Sequence, residues 1–176
     1  QRDVVNSEVY RVTLADGAIQ ELTKRQGPDN GAVVSPDGKS IAYLGFEDKV
    51  LGYQNTEVSV MAADGGNPRS LTASLDRSID DMTWAPDGRS LYVQYDDKAN
   101  TKIARLSLNG RIETVAEGLG GGSLDRPYTG GQFTVANNGA VAFTSRFADR
   151  PNEISIVRGG RVRQLTHLND GLLAGK

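Results

Sequence analysis

VSPDGKSIAY, residues 34–43, returns as TWAPDGRSLY at residues 83–92 and more loosely as TVANNGAVAF at residues 134–143. The glycines of these phrases, Gly38, Gly88 and Gly139, are spaced by 50 and then 51 residues. A repeat of this length is typical of a four-stranded unit and is too long for the helix pairs of short repeats. The repeat therefore predicts the fold class.

Each phrase carries the residues of a tight turn between two strands. Proline presets φ for the second position of a type I turn, aspartate suits the next position, and glycine takes the left-handed conformation that closes the hairpin. In the third phrase two asparagines replace Pro-Asp and still tolerate unusual φ. The predicted structural turn residues are Pro36, Asp37, Gly38, Pro86, Asp87, Gly88, Asn138 and Gly139.

A second hairpin recurs between the turn phrases, and it ends in Leu-Thr or a similar pair. We therefore predict an all-β chain that forms a partial β-propeller of about three and a half four-stranded antiparallel blades. The half blade covers residues 7–23, and the whole blades cover about residues 31–72, 79–118 and 131–166. Closed propellers have about four to eight blades, so either an upstream part is missing or the chain completes itself with another copy.

The strand faces predict how the blades are covered. Residues 40–44 carry apolar side chains on both alternating faces, which indicates a strand buried on both sides. Tyr10, Val12 and Leu14 form one apolar face against a mixed one, which predicts that solvent reaches only the mixed face.

Composition narrows the class of function. No apolar run approaches the roughly 18 residues of a membrane span, and no signal peptide precedes Gln1, so we predict a soluble chain with no membrane partner. The net charge of −2, with scattered Lys and Arg, predicts no nucleic-acid partner. The absence of cysteine excludes disulfides and thiolate zinc sites but assigns no compartment.

The phrase Ser-Pro-Asp-Gly-Lys-x-Ile-Ala-Tyr, followed by Ala-Asp-Gly-Gly and Leu-Thr, resembles the WD-like propeller repeats of TolB and of the prolyl oligopeptidase family. Residues 125–133 and Arg150–Ile154 are similar to the last blade of bacterial acylaminoacyl-peptidase-like or dipeptidyl-aminopeptidase-like enzymes. Residues 163–170 resemble the segment that precedes the α/β-hydrolase domain in those enzymes. The resemblance implies a bacterial protein of the cytoplasm or periplasm.

The sequence lacks the catalytic motif of that family. A hydrolase nucleophile of this kind lies in Gly-x-Ser-x-Gly, with Asp and then His downstream. Ser40 and Ser90 follow Gly-x, but Ala42 and Tyr92 replace the closing glycine, and both serines are predicted to begin strands. We therefore predict no catalytic residue, no cofactor and no metal in this chain, and no hydrolase domain.

Other candidate residues have a simpler interpretation. His167 is the only histidine and has no evident partner, so an end-of-blade or interdomain position is favoured over a general base. The Gly-rich residues 118–123 lack the Lys and helix of a P-loop, which favours an inter-blade loop. The pairs Asp80-Asp81 and Asp96-Asp97 are interpreted as solvated loop carboxylates, not calcium ligands. The arginines that could meet a peptide carboxylate or the hydrolase domain are Arg126, Arg146 and Arg150.

Three hypotheses of function follow. The first is a non-catalytic propeller portion of a serine peptidase, whose partners are its own α/β-hydrolase domain and the peptides that pass the propeller. The second is a TolB-like module that binds a protein partner, and the third is a structural piece without independent activity. Uncovered blade faces also predict that the chain self-associates.

Overall fold

The computed structural model describes residues 6–121 and 130–173. The strands are β1 (Tyr10–Val12), β2 (Ile19–Glu21), β3 (Asp29–Val34), β4 (Ser40–Gly45), β5 (Glu57–Ala62), β6 (Arg69–Ser70), β7 (Ile79–Trp84), β8 (Ser90–Asp97), β9 (Asn100–Ser107), β10 (Ile112–Leu119), β11 (Phe133–Val135), β12 (Val141–Ser145), β13 (Glu153–Arg158) and β14 (Arg161–Gln164). They are followed by the short helix α1 (Asp170–Leu173). Among the described residues, no helix is long and apolar enough to cross a membrane.

The strands pair in chain order as antiparallel hairpins. β1 pairs with β2, β3 to β6 form one four-stranded sheet, and β7 to β10 and β11 to β14 form two further sets of four. The last two sets meet through the single pair Leu119↔Ser145. One pair of strands and three sets of four confirm the predicted all-β fold and the partial propeller of about three and a half blades. We call these sets the half blade and blades A, B and C, in chain order.

The turn phrases connect the first two strands of blades A, B and C. Their glycines have left-handed backbones, with φ of +72° at Gly38, +65° at Gly88 and +77° at Gly139. The Asp37 carboxylate accepts a hydrogen bond from the Lys39 N–H at 3.1 Å. The Asn138 side chain accepts the same bond from the Ala140 N–H at 3.1 Å. Asparagine therefore replaces aspartate in the third turn without loss of this contact.

Apolar side chains fill the spaces between blades. Blades A and B enclose the largest cluster, which includes Ala42 and Leu44, and blades B and C enclose a second one. Ile41 and Tyr43, on the opposite face of β4, pack with Val9 of the half blade. The prediction that residues 40–44 are buried on both faces is therefore confirmed.

The Leu-Thr pairs close the outer hairpins by a contact that recurs in three blades. In blades A and C, the threonine Oγ1 accepts a hydrogen bond from a backbone N–H of the third strand: Val58 to Thr72 at 2.9 Å and Ile154 to Thr166 at 2.8 Å. In the half blade the donor is the N–H of Val9, the residue just before β1, which bonds to Thr23 at 2.9 Å. In each case the preceding leucine donates its N–H to the carbonyl of the same third-strand residue. The pair thus satisfies both polar backbone groups of one residue where the ladder ends.

The prediction for the half blade is wrong in its orientation. Tyr10 and Val12 are 54% and 53% exposed, whereas Val9 and Leu22 are buried against blade A. In the part of the chain that the structure describes, β1 pairs only with β2, so no second strand and no further blade covers the apolar face. Burial here follows the neighbouring blade and not the alternation within the strand.

The hairpin connections divide the molecule into two ends. The turns within the hairpins, including all three turn phrases, lie at one end, which we call the turn end. Connections from second to third strands and from one blade to the next lie at the opposite end, which we call the loop end. This division follows from the antiparallel order of strands in every blade.

Candidate functional site

The loop end carries acidic residues that lie at or near the ends of strands. Asp29 begins β3, Asp80 lies near the start of β7, Asp96 lies near the end of β8, and Glu153 begins β13. Each of these positions is at the loop end because first and third strands run from it and second strands run toward it. The turn end instead carries the repeated turn residues.

A partly buried ion pair, with Asp29 buried and Arg25 partly exposed, lies between the half blade and blade A. Arg25 Nε donates to Asp29 Oδ1 at 2.8 Å, and the guanidinium carbon lies 5.7 Å from the centre of the Tyr43 ring. Burial raises the pKa of the Asp29 carboxyl, and the Arg25 charge opposes that rise. These three residues, with Ser59 and Arg69, line a cavity of about 720 Å³. The cavity presents both donors and acceptors without a strong net charge.

A smaller acidic cleft of about 390 Å³ lies between blades A and B. Asp80 is accessible to solvent at the rim of the cleft, but desolvation by surrounding atoms and the negative charges of Asp96 and Asp81 raise its pKa to about 6. Tyr53 and Asn55 from the loop after β4 complete one wall. Asp76, Asp80 and Asp96 outnumber the one cation in the lining, Arg77, so the cleft favours a positively charged or hydrogen-bond-donating group over an anion.

The two aspartate pairs lie in strands β7 and β8, so their interpretation as loop carboxylates is wrong. Asp97 is also not a free solvated group, because Lys102 Nζ lies 2.9 Å from it and Arg77 Nη2 also lies 2.9 Å from it. Hydrogen bonds from Lys102 and Arg77 lower the pKa of Asp97.

Glu153 fixes the segment that follows the last strand. Its Oε1 accepts hydrogen bonds from the Asn169 backbone N–H at 3.3 Å and from the Asn169 side chain at 3.1 Å. Thr166 Oγ1 donates to Oε2 of the same carboxylate. The Thr166 hydrogen bond is the largest cause that lowers the pKa of Glu153. Sequence reasoning missed this residue because its partners lie 13 to 16 positions away.

His167 has a partner, contrary to the sequence interpretation. Its Nδ1 lies 3.1 Å from Asp170 Oδ2, and both side chains are exposed. The Gln164 amide nitrogen lies 3.4 Å from the same ring nitrogen. An exposed pair of this kind orients the ring at the end of blade C but gives it no buried, activated environment.

Of the candidate arginines, Arg146 and Arg150 lie within the described residues and have different partners. Arg146 donates to the Ala99 carbonyl at 3.3 Å and to Asn100 Oδ1 at 2.9 Å, which ties blade C to blade B. Arg150 lies over the Phe147 ring at 4.8 Å and has Asp149 at 3.4 Å. Arg126 lies outside the described residues. Part of the Gly-rich segment is also not a loop, because β10 extends through Gly118 to Leu119.

The serines considered as nucleophiles have structural positions. As predicted, β4 begins at Ser40 and β8 begins at Ser90. The Ser40 N–H donates to Ser35 Oγ at 2.9 Å, and Ser90 Oγ accepts from Arg105 Nε at 2.7 Å. Within residues 6–121 and 130–173, no group of three or more His, Cys, Asp or Glu side chains could hold a metal ion.

Comparison with curated proteins identifies relatives of one kind. The chain is 35% identical over 120 residues to dipeptidyl-peptidase 5 of Trichophyton schoenleinii, which covers 62% of this chain and 16% of the relative. It is 29% identical over 117 residues to dipeptidyl-peptidase 5 of Porphyromonas gingivalis, covering 64% of this chain and 17% of the relative. The match thus spans about a sixth of each relative's length. No protein-family profile matches the chain.

Comparison with solved structures shows the fold. An acylaminoacyl peptidase superposes with a TM-score of 0.72 and 17% identity, over 99% of this chain and 25% of that one. The β-propeller domain of the Trilobed protease from Pyrococcus furiosus gives 0.69 and 20%, over 95% and 45%. TolB from Acinetobacter baumannii gives 0.61 and 21%, over 90% and 37%. The resemblance found in the sequence is thereby confirmed: the chain is a β-propeller segment that is similar in sequence to part of dipeptidyl-peptidase 5 and folds like segments of these propellers.

Proposed function

We propose that the chain is the non-catalytic propeller portion of a serine peptidase and that it restricts the access of peptides to a hydrolase domain in the same polypeptide. The 35% identity to dipeptidyl-peptidase 5 over 120 residues carries the proposal. The matched relatives are about six times longer than the match, which leaves room for a catalytic domain.

The proposed role is selection by shape and charge. The first strands of the three whole blades, β3, β7 and β11, carry exposed residues such as Asn30, Asp81 and Thr134, and we assign these strands to the wall that peptides pass. A rigid wall of this kind admits an extended peptide and excludes a folded protein, because its strands are tied by ladder hydrogen bonds and cannot part cheaply. The acidic cleft at Asp80 and Asp96 adds a preference for peptides with a positive charge.

The whole reading frame provides the decisive test. The proposal expects a domain with a Gly-x-Ser-x-Gly motif beyond Lys176. It also expects the full-length protein to cleave short chromogenic aminoacyl and acyl-aminoacyl peptides, but not the same peptide sequences when they lie within a folded protein. Activity must be lost with a serine-directed inhibitor. A reading frame without that domain would refute the proposal and favour the alternative, a TolB-like propeller that binds a protein partner.

We also propose that the isolated chain associates with itself. The outer edge of β1 carries no strand among the described residues, and Tyr10 and Val12 expose apolar surface beside it. An open edge next to an apolar face is a template for pairing with a second copy.

A further inference from the structure

The loop between β4 and β5, residues 46–56, exposes apolar side chains at its tip. Val50, Leu51 and Tyr53 are 84%, 62% and 75% exposed, and only Gly52 separates them. The corresponding connection in blade B has two residues, Lys98 and Ala99. In blade B, two residues suffice to join the second and third strands. Closing blade A therefore does not require a long connection with an uncovered apolar tip.

The tip is held in one conformation by two side chains, Gln54 and Asp48, and the Asp48 carboxylate accepts the Val50 N–H at 2.7 Å. Gln54 Oε1 accepts hydrogen bonds from the Lys49 N–H at 2.8 Å and from the Leu51 N–H at 3.2 Å. Gln54 Nε2 donates to the Glu47 carbonyl at 2.8 Å. Val50, a β-branched residue, has φ of +55°, a conformation that costs free energy and persists only where its surroundings fix it.

The base of the loop is anchored to the connections on both sides. The Asp48 N–H donates to the Gln26 carbonyl at 2.8 Å, and the Ile79 N–H donates to the Thr56 carbonyl at 2.9 Å. The loop therefore projects from the loop end as a pre-formed element, and a partner that receives it has little conformational entropy to overcome.

The small size of the tip indicates what kind of partner it fits. Three side chains bury far less than the roughly 1,000 Å² that a stable complex of two separate proteins requires. A partner on the same polypeptide needs no such area, because the linkage raises its effective concentration to the millimolar range. The chain also leaves β14 at the loop end, where Glu153 holds Asn169.

We propose that Val50, Leu51 and Tyr53 insert into an apolar depression on the hydrolase domain of the same polypeptide and fix the propeller against it. This inference rests on the proposed function, since it needs that domain. It assigns the contact to the loop end of blade A and to a rigid tip, not to the arginines near blade C.

Hydrogen exchange of the full-length protein and of the isolated 176-residue chain tests the inference directly. The amides of residues 50–53 are expected to exchange at least tenfold more slowly in the full-length protein, because docking excludes water from the tip. The amides of residues 109–111, in the turn between β9 and β10 at the turn end, serve as the internal control and are expected to exchange at the same rate in both.

Variants extend the test to the energetics. The triple variant Val50→Ser, Leu51→Ser, Tyr53→Ser is expected to leave the unfolding midpoint of the isolated chain unchanged. In the full-length protein it is expected to remove the slow amide exchange of residues 50–53 and to make the propeller and the hydrolase domain unfold in separate transitions. Leu14→Ser, at a side chain that is 97% exposed at the turn end, is the matched control and changes neither. If the triple variant fails to fold, Tyr53→Ser alone replaces it.

The outcomes separate the two proposals. A full-length protein that has the hydrolase domain and peptidase activity, but exchanges residues 50–53 as fast as the isolated chain, overturns the docking and leaves the proposed function intact. A reading frame without a hydrolase domain overturns both.

Discussion

Replacing Thr72 with valine tests the contact that closes the outer hairpins. Val is nearly isosteric with Thr but has no oxygen, so the Val58 N–H loses its acceptor at 2.9 Å. Val58 is fully buried and Thr72 is 2% exposed, so water has no access to replace the lost bond. The buried N–H is left without a partner.

The magnitude follows from two opposing effects. An unsatisfied buried donor costs about 1–3 kcal/mol. A methyl in place of the hydroxyl recovers roughly 0.8 kcal/mol through added apolar burial. We therefore expect the free energy of unfolding to fall by about 0.2–2 kcal/mol, and by about 1 kcal/mol at the middle of that range. A loss of about 1 kcal/mol lowers the thermal midpoint by roughly 2–4 °C for a chain of this size.

Thr134→Val is the matched control, because it makes the same threonine-to-valine change at an exposed position of β11. It should alter the free energy of unfolding by less than about 0.5 kcal/mol. Chemical denaturation followed by the fluorescence of Trp84, which is buried between blades A and B, reports both variants. Equal midpoints for Thr72→Val, Thr134→Val and the parent chain would refute the role assigned to the threonine hydroxyl.

Further predictions concern the turns, the acidic cleft, catalysis and association. Gly38→Val should lower the free energy of unfolding by about 1 kcal/mol or more because φ is +72° there. Gly52→Val, at a glycine in open space and without a left-handed backbone, is the control and should not lower it, and equal denaturation midpoints for the two variants would exclude strain at Gly38. Asp80→Asn should raise the thermal midpoint at pH 7.5 and not near pH 4. The pKa of about 6 in the folded state lies above the ordinary aspartate value of 3.8, so the folded state binds the proton more tightly, and the penalty for the charged form is full above pH 6 and disappears as the pH falls toward 3.8. A midpoint gain that is independent of pH would contradict this assignment. The isolated chain should not hydrolyse aminoacyl or acyl-aminoacyl substrates, and turnover that survives purification and responds to a serine-directed inhibitor would show otherwise. Light scattering should give a mass above that of one chain that grows with concentration, and a monodisperse monomer throughout would contradict self-association.

The hairpins were predictable because their turns depend on local residue types. Pro36, Asp37 and Gly38 act through backbone preferences that hold in any context, and a spacing of 50 residues repeats them. The double burial of β4 was predictable for a similar reason, since no other strand type has apolar residues on both faces.

The contacts between elements were not predictable in the same way. The orientation of Tyr10 depends on whether a neighbouring blade covers its face, which alternation within one strand does not contain. The interpretation of Asp97 as a solvated loop group failed because Arg77 and Lys102 reach it from other elements. Glu153 was missed because a glutamate at the start of a strand has no distinctive neighbours in sequence.

The difference between the two ends indicates how this fold separates stability from function. At the turn end, the N–H of Gly38, Gly88 or Gly139 donates to the carbonyl three residues earlier in each whole blade, so a change at one of these glycines has an equivalent in the other blades. At the loop end, the connections between second and third strands run over residues 46–56, 98–99 and 146–152 and share neither length nor contacts. Repetition at one end fixes the blade, because every hairpin must close in the same way. Variation at the other end is free of that requirement, so the cavity at Asp29, the cleft at Asp80 and the apolar tip at Tyr53 can each differ from blade to blade, as binding surfaces on rigid scaffolds do.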